Sequence, residues 1–141
     1  MTVWIMRLAL LTGLLAGPIE APSAATLTVR VEALKRSGDL VLAFFSSEAN
    51  WNANANPVTT SRTPITSDGS VAVTTSLPAG EYAIMAFHDV NGDGILNTSL
   101  IGLPTEPYAF SNNARGLFGP ARWKTARFQL QTDAVLTLRL H

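Results

Sequence analysis

One short run has the residue spacing of a cation loop. In His88–Thr98, HDVNGDGILNT, the side chains of Asp89, Asn91 and Asp93 alternate, Gly94 follows, and Ile95 and Asn97 come next. Calcium takes six to eight oxygens at roughly 2.3–2.6 Å, and carboxylates and amides at positions 1, 3 and 5 of a tight loop can supply them. Glycine at position 6 permits the sharp turn, and position 7 offers a backbone carbonyl, here that of Ile95. Asn97 stands at position 9. Position 12, where a helix-flanked calcium loop needs a bidentate Glu, is Leu100. Glu106, in the segment that follows, is the candidate for the missing carboxylate. Such a site would be weak, with a dissociation constant on the order of 10⁻⁴–10⁻³ M. The competing reading is a polar turn, in which Asp and Asn side chains accept backbone amides and Gly92 and Gly94 take positive φ. Residue types alone leave both readings open.

Other chemistry is sparse. His88 could act as a general base with Asp89 or Glu106, beside Arg115. Its only histidine companion is His141, and no serine elbow, HExxH or glycine-rich phosphate loop accompanies it. The run Tyr108–Trp123, YAFSNNARGLFGPARW, gathers Asn112, Asn113 and Arg115 between aromatics. With His88 these form a candidate recognition patch for a carboxylate, a glycan or a partner strand. The structural reading of the same residues is that the Asn side chains lock irregular backbone while Arg115 pairs with Glu106 or Asp93. Trp51, in EANWNANANP, reads as part of an exposed loop rather than a sugar-binding rim. Asn97-Thr98-Ser99 matches the glycosylation acceptor pattern, one that often arises by chance.

The elements that must position these residues are strands. TLTVRVEAL (26–34), ARFQLQT (126–132) and AVLTLRL (134–140) alternate apolar and polar residues with period two. Turn signals separate the strands at Ser37-Gly38-Asp39, Ser67-Asp68-Gly69, Pro78-Ala79-Gly80 and Thr132-Asp133. No helical period stands out. Several short strands at this spacing predict an antiparallel sandwich of about seven strands. The stretches LVLAFFSS (40–47) and YAIMAFH (82–88) are apolar on both faces, so something must cover their outer side. The candidate cover is the long loop from Ile95 to Lys124, through Leu103, Tyr108, Phe110, Leu117, Phe118 and Trp123. The proline-flanked NPVTTSRTPIT (56–66) is the expected edge strand.

The ends and the composition bound the rest. Residues 1–25 have the layout of a secretory signal peptide: Arg7, an apolar stretch Leu8–Ala16, a break at Gly17-Pro18, and small residues at Ser23–Ala25. Cleavage is expected after Ala25, with Ala24 and Ser23 as alternatives, leaving one domain over residues 26–141. The 141-residue chain has ten cationic and ten anionic residues and no cysteine. Disulfides and thiolate metal sites are therefore out of reach. A neutral chain without a basic run argues against nucleic acid or an anionic membrane surface as partner. Stable membrane insertion is not expected, because a span needs roughly 20 apolar residues.

Two stretches carry a resemblance. LPAGEYAIMAFHDVNGDG (77–94) resembles the strand entry of prealbumin-like and carboxypeptidase-regulatory-like sandwiches. The series AFHDVNGDGILNT…GLPTEPYAFSNNARGLFGP is similar to the bacterial exported family of unknown function DUF2141, with Tyr108–Asn113 its most specific part. The resemblance implies an exported seven-stranded Greek-key sandwich and no established activity. The hydroxyisourate hydrolase branch of prealbumin-like proteins ends in a Tyr-Arg-Gly-Ser type tail, which LTLRLH does not match, so its activity is not carried over. The expectation is a secreted or periplasmic monomer that binds an unidentified ligand or envelope protein, with calcium (Ca2+) ordering the Asp89–Asn97 loop. A small hydrolase using His88 is the alternative.

Overall fold

The structure is a computed structural model that describes residues 17–141. The charged start and apolar stretch of the expected leader lie outside the described residues. Eight strands and two short helices follow in the order β1 (Ala24–Leu34), β2 (Asp39–Phe45), α1 (Glu48–Ala53), β3 (Thr59–Pro64), β4 (Gly69–Pro78), β5 (Gly80–Asp89), β6 (Tyr108–Phe110), α2 (Trp123–Ala126), β7 (Phe128–Leu130) and β8 (Ala134–Arg139). A 3-10 turn, Ser111–Asn113, follows β6. Two sheets stack: β4-β1-β8, and β3-β2-β5-β6 with β7 also paired to β5. The class is the expected all-β sandwich, and β3 is the expected edge.

One pairing departs from the antiparallel expectation. β1 and β8 run parallel, with Leu27 opposite Ala134 and Val31 opposite Leu138. Period two cannot reveal strand direction, because both directions alternate faces alike. Ser23 and Ala24 already belong to the sheet: Ala24 pairs with Pro78, and Ala79 N–H donates to Ser23 O at 3.1 Å. Ala25 is buried.

The alternating residues build the main core between the sheets. Leu27, Val29 and Val31 of β1 meet Leu40, Leu42 and Phe44 of β2 and Ile84 of β5, all buried. Tyr82 opens β5 with its hydroxyl donating to Pro78 O at 2.8 Å. Every residue from Tyr82 to Asp89 is buried, so both faces of β5 are covered as expected.

The cover differs in part from the expected one. Phe45, Ala83 and Met85 of the outer face pack against Phe110, Ala121, Trp123 and Ala126, and against Trp51. Trp51 is no exposed loop residue. It lies in α1, 4 % exposed, and packs edge-on to Phe45 and Phe110 with ring centroids at 5.5 Å in both pairs. Its indole N–H donates to Ala121 O at 2.8 Å. The helix is six residues long, too short to show a period, but its caps are legible: Ser47 accepts from Asn50 N–H, and Asn54 takes the left-handed conformation. Leu103, Leu117 and Phe118, expected in the cover, are instead exposed at 55 %, 92 % and 101 %. The turn Gly116–Pro120 closes on itself, so Leu117 and Phe118 stand off the sheet. A Cβ at Gly116 would collide with the Gly119 and Pro120 carbonyl groups.

Candidate functional site

β5 ends in His88 and Asp89, and the polar loop starts there. Asp89 has no solvent exposure. Its Oδ1 accepts from Gly92 N–H at 2.8 Å and Asp93 N–H at 3.1 Å, and its Oδ2 accepts from Gly94 N–H at 2.7 Å. Arg62, from the edge strand β3, places Nη2 3.3 Å from the same Oδ2. An ionised carboxylate offers about four acceptor positions, and Asp89 has four partners. Gly92 and Gly94 carry φ of 78° and 79°, which lets successive N–H groups turn inward.

Glu106 clamps the loop from the other side. Its Oε1 accepts from Val90 N–H at 2.8 Å and its Oε2 from Asn97 N–H at 3.1 Å, with the residue 8 % exposed. Asp93 is exposed; Oδ1 accepts from Ile95 N–H at 2.9 Å, and Oδ2 accepts from the side-chain amides of Asn97 at 2.9 Å and Asn91 at 3.2 Å. The Asn97 bond first, then the Ile95 amide, hold the Asp93 carboxyl below its ordinary value. Arg62 also donates to Asp39 Oδ2 at 2.6 Å and to Gly92 O at 3.0 Å. The Asp39 bond foremost, with the charges of Asp89 and Asp93, raises its pKa.

The structure thus brings Asp89, Asn91, Asp93, Ile95, Asn97 and Glu106 into one loop, with Arg62 as its cation. Among the described residues no group of three or more His, Cys, Asp or Glu side chains is arranged to hold a metal ion. Arg62 is the member that sequence reading missed. Its partners lie far along the chain, and only its place as the one charge on an otherwise Thr/Ser edge strand distinguishes it.

The remaining candidates fall elsewhere. His88 is 3 % exposed, with Nε2 2.7 Å from Ser37 O; a carbonyl only accepts, so that nitrogen carries the proton. Asn112 donates its side-chain amide to the carbonyls of Thr125, Ala126 and Arg127 at 2.9–3.2 Å, closing the end of α2. Asn113 donates to Thr137 O at 3.1 Å and accepts from Arg139 N–H at 2.9 Å, extending the β8 ladder with a side chain. Both asparagines take positive φ, 59° and 48°. Arg115 pairs with neither Glu106 nor Asp93. It lines a concavity of about 280 Å³ with Asn113, Arg139, Leu140 and His141, and neither His88 nor Asp89 opens on it.

A second concavity is a cleft of about 460 Å³ over the outer face of β5. Met85, Trp51, Tyr108 and Phe110 floor it. Leu96, Ile101 and Leu103 of the loop after β5 and Leu117 and Phe118 of the Gly116–Pro120 turn also line it. The signal in the sequence is GLFGP: two large apolar residues enclosed by Gly and Pro, which form a turn rather than a core element.

Fold and site define an exposed, apolar cleft on a β-sandwich whose neighbouring polar loop is closed by its own carboxylates and arginine. The chain belongs to the family DUF2141, described as an uncharacterized protein conserved in bacteria, whose family model matches residues 29–137. No curated protein and no solved structure matches it.

Proposed function

We propose that the chain is an exported binding module of the bacterial envelope that takes a small, elongated apolar ligand in the cleft over β5. One observation carries this reading: Leu117 and Phe118 stand 92 % and 101 % exposed at the edge of a 460 Å³ cleft floored by aromatic side chains. Large apolar groups held in water contribute nothing to folding, and contiguous patches of them mark binding surfaces. Small-molecule sites of roughly 300–1,000 Å³ are lined mainly by hydrophobic and aromatic residues. A medium-length fatty acid has the required shape and chemistry. Export is supported by the leader pattern of residues 1–25.

The hydrolase alternative has less support. The His88 ring is buried against Ser37 O, both candidate carboxylates accept loop amides, and Arg115 faces another concavity. The test of the binding reading is displacement of 1-anilinonaphthalene-8-sulfonate by dodecanoate. Leu117→Ala/Phe118→Ala should weaken dodecanoate binding about tenfold or more, since each truncated side chain loses roughly 1–3 kcal/mol of burial. Equal binding by the double variant would overturn the assignment of the cleft.

Calcium at the Asp89–Asn97 loop is a second proposal, favoured by one feature. Asp93, held ionised and exposed, gathers the side-chain amides of Asn91 and Asn97 about one carboxylate oxygen. Rotation of those amides would present oxygens to an ion at the same point.

A further inference from the structure

We infer that β4 is the pairing edge for a second copy of this chain, which joins antiparallel to its own counterpart about a two-fold axis at Val73. β4 borders its sheet, with β1 on one side and no strand on the other. Its register with β1 runs unbroken from Ala24 opposite Pro78 to Val31 opposite Val71, and the one irregularity lies beyond, between Val31 and Leu34. That register fixes which backbone groups look outward. Ala79 N–H donates to Ser23 O, and antiparallel pairs alternate between bonded and non-bonded along a ladder. Val71, Val73, Thr75 and Leu77 therefore bond β1, while Ser70, Ala72, Thr74 and Ser76 turn their N–H and C=O groups away from it. Pro78, with no N–H to give, stands at an outward position, where a ladder loses nothing. Among the described residues no backbone group outside the sheet bonds these outward groups. The side chains of Ser70 and Thr74 are tied back to β1, by Arg30 Nη1 at 2.9 Å and Thr28 Oγ1 at 3.2 Å, and leave the edge clear.

Open ladders pair, and sheets blunt their edges with charge, proline or bulges. Two other edges of this fold are guarded in that way. β3 carries Arg62 and ends in Pro64, with Pro57 just before it. Asn113 occupies the outer edge of β8 through Thr137 O and Arg139 N–H. β4 has no charged residue and no proline before its last position. Its occupant follows from the symmetry of the strand. SVAVTTS, residues 70–76, reads nearly alike in both directions: about Val73, Ala72 answers Thr74, Val71 answers Thr75 and Ser70 answers Ser76. Self-pairing in that register sets each outward residue against another outward residue, so every free N–H meets a free C=O, as an isologous interface requires. A foreign strand would need no such symmetry. Val73 meets Val73 of the second copy as a non-bonded pair, where side chains stand closest, and this covers a half-buried β-branched side chain. No charged residue of β4 opposes its own copy.

A seam one strand wide falls below the roughly 1,200 Å² of a stable interface, so the dimer is transient. Sedimentation velocity of the protein from about 1 to 500 µM should show a reversible monomer–dimer equilibrium in the upper part of that range. Ala72→Lys sets two lysines diagonally across the seam, about 7–8 Å apart, and should weaken association about tenfold or more with little change in the unfolding midpoint. Thr74→Pro removes one outward N–H, spares the bonds to β1 and should weaken association likewise. The register has its own readout, because the chain has no cysteine. Ser70→Cys and Ser76→Cys proteins, mixed under mild oxidation, should form disulfide-linked mixed dimers. Neither alone should match that yield, since its two thiols would lie about 20 Å apart along the seam. A protein that stays monomeric across the range would overturn self-pairing, even if a foreign extended peptide bound the edge. So would a dimer indifferent to both Ala72→Lys and Thr74→Pro, or cross-linking of either cysteine variant with itself as readily as in the mixture. None of these residues lines the cleft, so dodecanoate binding tests that assignment separately.

Discussion

The Arg62 guanidinium, half exposed on the edge strand, lies 3.3 Å from Asp89, a carboxylate with no exposure at all. Cation and anion come from different strands of one sheet and meet over the loop that Asp89 organises. The loop therefore carries its own counter-charge. If Arg62 serves as the loop's cation, millimolar calcium leaves the wild-type unfolding midpoint unchanged. If calcium binds only the native state, about 100 times its dissociation constant adds about 2.7 kcal/mol, a shift on the order of ten degrees. Asp89→Ala and Asp93→Ala would then both abolish that shift. Thermal unfolding in EDTA and in calcium separates the two.

Asp89→Ala itself should destabilise the domain by about 2–4 kcal/mol with or without metal. It leaves the inward-turned N–H groups of Gly92 and Gly94 without their acceptor and that of Asp93 with Asn91 Oδ1 alone at 3.2 Å, and each unsatisfied buried group costs roughly 1–3 kcal/mol when water cannot fully replace it. Urea unfolding measures this, and a loss below 0.5 kcal/mol, on the order of surface substitutions, would contradict the closed-loop account.

The pH dependence follows from Asp93. Its carboxyl lies below the ordinary value because Asn97, Ile95 and Asn91 bond the ionised form. A depressed native pKa gives stability that is present above the unfolded pKa, about 3.9, and is lost as pH falls through the native value. Asp93→Asn should flatten the acid limb of the stability curve below about pH 4 and leave neutral pH to neutral-pH comparisons of other variants unaffected. At the alkaline end the sign reverses for Tyr82, whose phenol is pushed up by burial. Its contribution is full below its ordinary value of 10.0 and declines as pH rises through the higher native value.

Trp51 is the hub of the outer core, with Phe45, Phe110 and Trp123 about its ring. Trp51→Ala should cost about 3–5 kcal/mol in urea unfolding. Trp51→Phe should cost less, chiefly the indole bond to Ala121 O. An exposed-loop tryptophan would show neither loss.

Ser111 joins three elements: its hydroxyl accepts from Ile84 N–H at 2.9 Å and donates to Ala126 O at 2.5 Å, fully buried. Ser111→Ala leaves the Ile84 N–H unpaired and Ala126 O with only the Asn112 amide at 3.2 Å, and should destabilise by about 1–3 kcal/mol. Hydrogen exchange at the Ile84 amide should rise selectively, since that proton loses its acceptor.

Much of this fold was legible because period two survives wherever one face meets the core, as in Leu27, Val29 and Val31. The doubly apolar β5 likewise announced a cover. Its composition was not legible: Trp51 sits in a helix too short for periodicity, and Leu117 and Phe118 carry the same hydrophobicity as residues that do pack. Sequence spacing assembled the Asp89–Asn97 loop, but the partner that neutralises it is Arg62, brought by sheet pairing of β3 with β2. The run Ser111–Asn113 read as polar and available. In the fold its side chains satisfy backbone groups that have no ladder partner.

The most direct measurement is the intrinsic fluorescence of residues 26–141 during titration with dodecanoate. Within these residues the tryptophans are Trp51, which lines the cleft, and Trp123, whose ring centroid is 6.3 Å from that of Trp51. The cleft account predicts a saturable one-site change, reduced about tenfold or more in apparent affinity by Leu117→Ala/Phe118→Ala. A linear, non-saturating response identical in the wild-type protein and the double variant would contradict it.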